Sequence, residues 1–323
     1  MDRDRKYCIG IDTSNYRTSL AAVDTDGNMT GSYRKLLAVK KGERGLRQSE
    51  ALFQHVENLP ELSQSLFQDI DEGSICCIAV SIRPRPVEGS YMPVFNAGAS
   101  LGRSLAAAVK VPLYEFSHQE GHIEAVRYYS PLRETERFIC FHFSGGTTEA
   151  ILAEETEGET ETEYSIVGGS RDISYGQLLD RIGVALGMAF PSGAEMDDIA
   201  CSYNGELMKI TGIKCREGFI NLSGIETLCQ RMIPSSDRNQ LIATIFNSIC
   251  TSMAEMTREI SSKFGVKDFL YAGGVSSSRY IRNRLPAMVG EDVRTVFGSP
   301  ELSSDNAVGT ALLGRRRYVS ETR

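Results

Sequence analysis

A strand, a short loop of small polar residues and a returning strand occur twice in this chain, at its start and in its middle. Residues 7–11 and 18–23 are apolar runs flanking Asp12-Thr13-Ser14-Asn15-Tyr16-Arg17, and Asp24-Thr25-Asp26-Gly27-Asn28 makes the turn that follows. Residues 137–143 and 149–153 repeat the arrangement around Ser144-Gly145-Gly146-Thr147-Thr148. Short apolar runs bounded by Gly, Asn, Asp and Ser clusters read as strands and turns. A third glycine loop, Gly273-Gly274-Val275-Ser276-Ser277-Ser278, follows a strand at 269–272 and precedes a helical pattern over 279–288. Glycine lets the backbone approach an anion, and a helix N-terminus adds partial positive charge. Two related hairpins heading two halves, plus a strand–Gly-Gly–helix, suggest a duplicated α/β fold with a nucleotide in the cleft between two lobes.

Helical and strand-like stretches alternate between these loops. Residues 49–69 predict a helix with Leu52, Phe53, Val56, Leu59, Leu62 and Leu66 on its apolar face, broken or kinked at Pro60. Residues 75–82 and 111–116 read as strands, and 96–109, 174–188 and 240–264 as helices. A final helix is expected over 306–318. The lobe boundary is placed near residues 131–135, giving lobes of 1–133 and 134–305, with 306–323 packing back toward the first. The acidic stretch at 154–161 reads as a solvated hairpin tip.

Length and composition suit a globular protein of two domains: 323 residues, 41% hydrophobic and 24% charged. A formal net charge of -7 gives no nucleic-acid footprint in the bulk charge, so contact with RNA requires a local patch or a partner. Lys40-Lys41-Gly42-Glu43-Arg44 and Arg315-Arg316-Arg317 are the basic clusters available. The eight cysteines form no C-x-x-C pair, and several lie in strand-like runs, so they read as reduced, buried thiols. No signal peptide or membrane-spanning run is legible, and the expected location is the cytoplasm.

Two of the four histidines stand at i and i+4 in Ser117-His118-Gln119-Glu120-Gly121-His122, which leads into a helical pattern. That spacing stacks both imidazoles on one helix face, where they can hold one cation. The alternative is a pair of surface histidines. The metalloprotease pattern H-E-x-x-H is absent, because Gln119 follows the first histidine and Glu120 is displaced by one residue.

Taken in order, these segments resemble the TsaD family, formerly described as O-sialoglycoprotein endopeptidases, over nearly the whole chain. His118-Gln119-Glu120-Gly121-His122 resembles the family's metal-binding H-x-E-G-H, and Phe143-Ser144-Gly145-Gly146-Thr147 its central S-G-G loop. Ser174-Tyr175-Gly176-Gln177-Leu178-Leu179-Asp180-Arg181 is similar to its G-E-A-F-D-K segment, and Phe190-Pro191-Ser192-Gly193-Ala194 to its Y-P-G-G-P. Asn221-Leu222-Ser223-Gly224-Ile225, Ala272-Gly273-Gly274-Val275-Ser276 and Ser304-Asp305-Asn306 complete the series.

The resemblance implies an actin-like ATPase (ASKHA) fold and transfer of a threonylcarbamoyl group from an acyl-adenylate to N6 of a tRNA adenosine. It implies that His118, His122 and Asp305 hold one divalent metal, iron or zinc. His142, Phe143, Ser144, Gly145 and Gly146 would approach the phosphate, and Asp180 would accept from ribose hydroxyls. Gly193 would let the backbone pass close to the nucleoside, and Gly273, Gly274 and Ser278 would border an adenine nucleotide. Implied partners are tRNA and the proteins of a threonylcarbamoylation complex, with no membrane. Without the resemblance, Asp305 also reads as an N-cap for the final helix.

The chain departs from the family pattern at several points. Tyr16 and Arg17 stand where the first loop of the family carries acids, Thr147 replaces a His, Gln177 a Glu and Ser278 an Asn. Arg83-Pro84-Arg85-Pro86-Val87 occupies the place of a G-P-G-L stretch. No catalytic residue is assigned. A different acyl adenylate or acceptor, or carbamoyl transfer to a small molecule, fits these changes. A scaffold that binds metal and nucleotide without chemistry also fits them, and a metalloprotease fits least.

Overall fold

The computed structural model describes residues 6–14, 16–39, 46–155, 162–299, 301–303 and 306–322. The basic cluster at 40–44, the acidic tip from 156 and Asp305 lie outside these residues. The chain divides into two compact units, residues 1–129 with 304–323, and residues 130–303. The division falls just before the 131–135 stretch.

The first unit contains β1 (Tyr7–Ser14), β2 (Arg17–Asp24), β3 (Met29–Leu36), α1 (Gln48–Gln68), β4 (Ile75–Arg83), α2 (Phe95–Val109), β5 (Leu113–Ser117) and α3 (His118–Tyr128). The second contains β6 (Arg137–Phe143), β7 (Thr148–Glu155), β8 (Thr162–Ser170), α4 (Tyr175–Ala185), α5 (Gly193–Ser202), β9 (Phe219–Ile220) and α6 (Ser223–Met232). It continues with α7 (Arg238–Phe264), β10 (Asp268–Ala272), α8 (Arg279–Val289) and β11 (Arg294–Phe297). Helix α9 (Val308–Thr322) returns to the first unit.

Each unit is built on its own sheet, in the orders β3-β2-β1-β4-β5 and β11-β10-β6-β7-β8-β9. In the first, β1, β2 and β3 are antiparallel, while β4 and β5 run parallel to β1. In the second, β6, β7 and β8 are antiparallel, and β10 and β11 run parallel to β6. The duplicated hairpin of the sequence is therefore a duplicated five-strand pattern, to which the second unit adds the short β9.

Of the break or kink expected at Pro60, the break does not occur: α1 is one continuous helix through it. Its buried face also differs, since Phe53 and Val56 are exposed while His55 and Asn58 are buried. The reason is polar: Thr18 Oγ1 lies 2.8 Å from His55 Nδ1 and accepts a hydrogen bond from Asn58 Nδ2 at 3.2 Å. A buried hydroxyl on the sheet demands such partners, and two polar side chains displace the larger apolar ones from that face.

Strand β1 is covered on both faces, which explains its apolar composition. Ile9 and Ile11 join Leu59, Leu62, Leu66 and Val80 in one core, while α9 crosses the other face, where a methyl at Gly10 would stand 2.3 Å from the Ala307 carbonyl oxygen. The second core gathers Phe141, Phe143, Tyr175, Phe246, Phe269 and Tyr271 with the long α7. All eight cysteines are free thiols, and six of them are buried. Among the described residues no helix is long and apolar enough to cross a membrane.

Candidate functional site

Helix α3 begins at the predicted histidine motif because Ser117 caps it. Ser117 Oγ accepts the Glu120 N–H at 3.2 Å, and the Glu120 carboxylate accepts the Ser117 N–H at 2.6 Å. This reciprocal capping box occupies Glu120 at the helix start. It gives Glu120 a structural role at the helix start.

The same cap places His118 and His122 on one face, with ring centroids 4.3 Å apart and ring planes at 81°. His122 is buried, and the His118 side chain retains 18% exposure. Nδ1 of His118 lies 2.8 Å from Oδ1 of Asp12, whose side chain is fully buried. The other carboxylate oxygen, Oδ2, is buried without a hydrogen-bond partner. With Nδ1–H given to the carboxylate, Nε2 is left as the lone-pair nitrogen. A metal-binding histidine is held in this way.

Two further features fix α3. A methyl at Gly309 would lie 1.7 Å from the Gly121 carbonyl oxygen and 2.7 Å from the Ala125 nitrogen, so α3 and α9 meet backbone to backbone. The Gln119 N–H donates to the Pro84 carbonyl at 3.0 Å, tying the Arg-Pro-Arg-Pro stretch to the start of α3. Arg83 Nε, within that stretch, is buried without a partner. At this same start of α9, Asn306 Oδ1 accepts the Val308 N–H at 3.0 Å, so the residue after Asp305 supplies a local cap.

In the second unit, Ser144-Gly145-Gly146-Thr147 is the tight connection from β6 to β7. Ser144 N–H donates to the Thr147 carbonyl at 2.9 Å, and Thr147 N–H to Ser144 Oγ at 3.1 Å. Gly145 and Gly146 are exposed, with open space over both α-carbons. Helix α4 is seated on this turn: Ser174 Oγ donates to the Gly145 carbonyl at 2.7 Å, and a methyl at Gly176 would lie 2.4 Å from the Gly145 α-carbon. Gln177, in place of the family's Glu, completes a capping box with Ser174. An amide serves there as well as a carboxylate because only its oxygen is used.

The sequence-predicted residues of this unit divide in two. Ser144, Gly145 and Gly146 share one turn beside His142, and Gly273 reaches the same strand end, where a methyl on it would meet the Phe143 carbonyl oxygen at 2.3 Å. Its φ of +92° is a second reason for glycine. The Phe143 side chain, by contrast, is fully buried core, edge-on to Tyr175 at 5.3 Å. Asp180, on α4, accepts the Ser192 N–H at 2.9 Å through Oδ1 and so draws in the residue before Gly193, over which space is open.

Ser278 is turned inward. Its hydroxyl donates to Asp197 and accepts the Ile281 N–H at 3.2 Å, while Asp197 also accepts the N–H groups of Arg279 and Tyr280 at 2.9 and 3.2 Å. The positive end of α8, read from sequence as an anion site, is thus neutralised by the protein's own buried carboxylate. A related device serves α6. Asp172 accepts N–H groups of Leu222 and Ser223 at 2.8 and 2.9 Å, and of Ile173 at 2.7 Å. Desolvation opposes ionisation of Asp172, yet these donors outweigh it and hold the carboxyl well below the usual range.

Sequence reasoning missed Asp12, Asp172 and Asp197. The signal for Asp12 was present, since a carboxylate ending an apolar strand needs a partner. Asp197 carries no local signal, because its partners lie 81 to 83 residues away.

The two sheets, each an antiparallel hairpin extended by parallel strands, and the glycine turns at their strand ends define an α/β protein of the actin-like ATPase type. Solved structures share this fold: HypF of T. kodakarensis (TM-score 0.62, 14% identity, 98% of this chain and 48% of that one), and a ROK family glucokinase from Streptomyces griseus (TM-score 0.53, 12% identity, 96% of this chain and 99% of that one). The present chain spans about half the length of HypF. Residues 36–312 match the family model described as TsaD, tRNA N6-adenosine threonylcarbamoyltransferase, and the chain belongs to this family of transferases. Proteins of that name from Neorickettsia sennetsu and Archaeoglobus fulgidus are each 26% identical to it, over 93% and 96% of this chain and 90% and 91% of theirs.

Proposed function

We propose that this protein is a metal-dependent acyl transferase that moves a threonylcarbamoyl group from its mixed anhydride with AMP to N6 of a tRNA adenosine. His118, His122 and Asp305 are the proposed ligands of one divalent cation, iron or zinc; two imidazoles and a carboxylate suit either. The observation that carries this reading is the 2.8 Å contact from His118 Nδ1 to the buried Asp12 carboxylate. It orients the ring and fixes the tautomer before any ion arrives. Once bound, the cation supplies Lewis acidity and a template for phosphate and acyl oxygens.

The chain's own groups supply the rest. N–H groups of Gly145 and Gly146 donate to the adenylate phosphate, beside Ser144 and His142, with Phe143 fixing the strand end from below. Oriented N–H donors are worth most where negative charge develops. Asp180 keeps one oxygen on Ser192 and offers the other to a ribose hydroxyl, and Gly193 leaves room for the nucleoside. Gly273 and Gly274 shape the neighbouring strand end, and Ser278 contributes through Asp197 to the position of α8. The acceptor is tRNA, delivered by partner proteins in the cytoplasm.

A second reading, a scaffold that binds metal and nucleotide without chemistry, is favoured by Tyr16 and Arg17 in the first hairpin and by the commitment of Ser278 to Asp197. Calorimetric titration of AMP, ADP and ATP into metal-loaded and metal-stripped protein tests the primary reading. Nucleotide binding that vanishes with the metal supports it, and no binding to fully loaded protein overturns it. His118→Ala then separates the two readings: loss of ligand binding with partner assembly intact is the scaffold's signature only if the parent protein also fails to turn over.

A further inference from the structure

Cys8 in β1 faces β4, and the pairing of these parallel strands slips by one residue at that point. Tyr7 lies opposite Ile75, whereas Cys8 lies opposite Cys77, so Cys76 is the extra residue of a bulge. Regular strands send neighbouring side chains to opposite faces, and a bulge re-aims one of them. Here all three sulfur atoms come within 4.8 Å of one another, with Cys8 and Cys76 Sγ at 3.4 Å. Their exposures are 0%, 5% and 0%. Cys76 also lies 3.3 Å from the Tyr7 carbonyl oxygen, to which its thiol donates.

We propose that Cys8, Cys76 and Cys77 form a three-thiolate site for a soft monovalent cation, Cu(I). Metal–sulfur bonds of about 2.3 Å place three trigonal sulfurs roughly 4 Å apart, between the 3.4 Å Cys8–Cys76 contact and the 4.8 Å limit of the cluster. Thiolates select soft ions, whereas a structural zinc site closes with four ligands, and among the described residues this group holds three. Burial leaves little room for water to complete a tetrahedron.

Binding is balanced without any change of oxidation state. Cu(I) enters, three S–H bonds are exchanged for three Cu–S bonds, and three protons pass to solvent. Lys6 is exposed two residues before Cys8, which puts the cluster near the sheet end and gives an ion a short path inward. Four residues of strand, roughly 13 Å, separate Cys8 from Asp12, so the cluster is independent of the histidine site.

The test is an anaerobic titration of the reduced full-length chain with Cu(I) against a chromogenic Cu(I) chelator, alongside Cys8→Ser, Cys76→Ser and Cys77→Ser and a Cys201→Ser/Cys215→Ser control. One equivalent should bind to the parent and control proteins, and affinity should fall roughly 100-fold or more in each single variant. X-ray absorption on the copper-loaded parent needs no variant to fold and should show three sulfur neighbours at about 2.3 Å. Unchanged affinity in the variants, nitrogen coordination, or preferential filling by Zn(II) from an equal mixture would overturn the proposal. So would loss of the Cys8 and Cys76 thiols to a disulfide in place of metal uptake.

Discussion

Nδ1 of His118 and Oδ1 of Asp12 are 2.8 Å apart, although 106 residues separate them in sequence. One belongs to the first turn of a helix, the other to the end of a strand with no exposed surface. Asp12→Asn keeps the shape and an accepting oxygen but removes the charge behind the imidazole. Metal affinity measured by chelator competition should fall about tenfold, with secondary structure retained. Unchanged affinity would mean that the carboxylate serves packing alone.

Glu120 offers a clean separation of roles. Glu120→Gln retains a capping oxygen, and both stability and metal binding should match the parent protein. Glu120→Ala should cost about 1 kcal/mol in thermal or urea denaturation, through loss of the capping box. If Glu120→Gln instead abolished a metal-dependent peptide cleavage, the carboxylate would be acting as a base and the assignment to capping would fail.

The crossing of α3 and α9 has no room for a side chain at Gly309. Gly309→Ala forces a methyl against the Gly121 carbonyl, where only backbone can yield. A destabilisation of about 3 kcal/mol is expected in urea unfolding, together with loss of metal binding as α3 shifts. A near-neutral result would show that the helices separate at little cost.

Asp172 predicts an acid limb of stability. Its carboxyl titrates lower in the folded chain than in the unfolded one, whose reference value is 3.8. The unfolded state therefore binds more protons as the pH drops, and stability falls with it. The contribution is fully present above that reference value and drains away as pH descends toward the lower folded value. Asp172→Ala should be less stable at neutral pH, with the difference from the parent shrinking below about pH 4. Parallel stability curves for the two proteins would refute the assignment.

Much of the fold was legible in the sequence because local signals sufficed. Paired apolar runs around small polar loops marked β1, β2, β6 and β7, and Ser-x-x-Glu and Ser-x-x-Gln spacings stood at the starts of α3 and α4. The strands β3 and β8 were not read, because β3 is largely exposed and β8 carries glycines. On α1 the expected face is borne out at Leu52, Leu59, Leu62 and Leu66 but not at Phe53 and Val56, since periodicity cannot see that Thr18 requires His55 and Asn58.

The sequence by itself determined which residues could do chemistry: a histidine pair at helical spacing and glycine turns at strand ends. Tertiary structure alone decided which groups were already engaged. It gave His118 a buried carboxylate, closed the N-terminus of α8 with Asp197, turned Phe143 into core and used one bulge to gather Cys8, Cys76 and Cys77. The physical reason is that buried polar groups must be satisfied, and their partners come from whichever strand or helix packs nearby, not from neighbours in the chain.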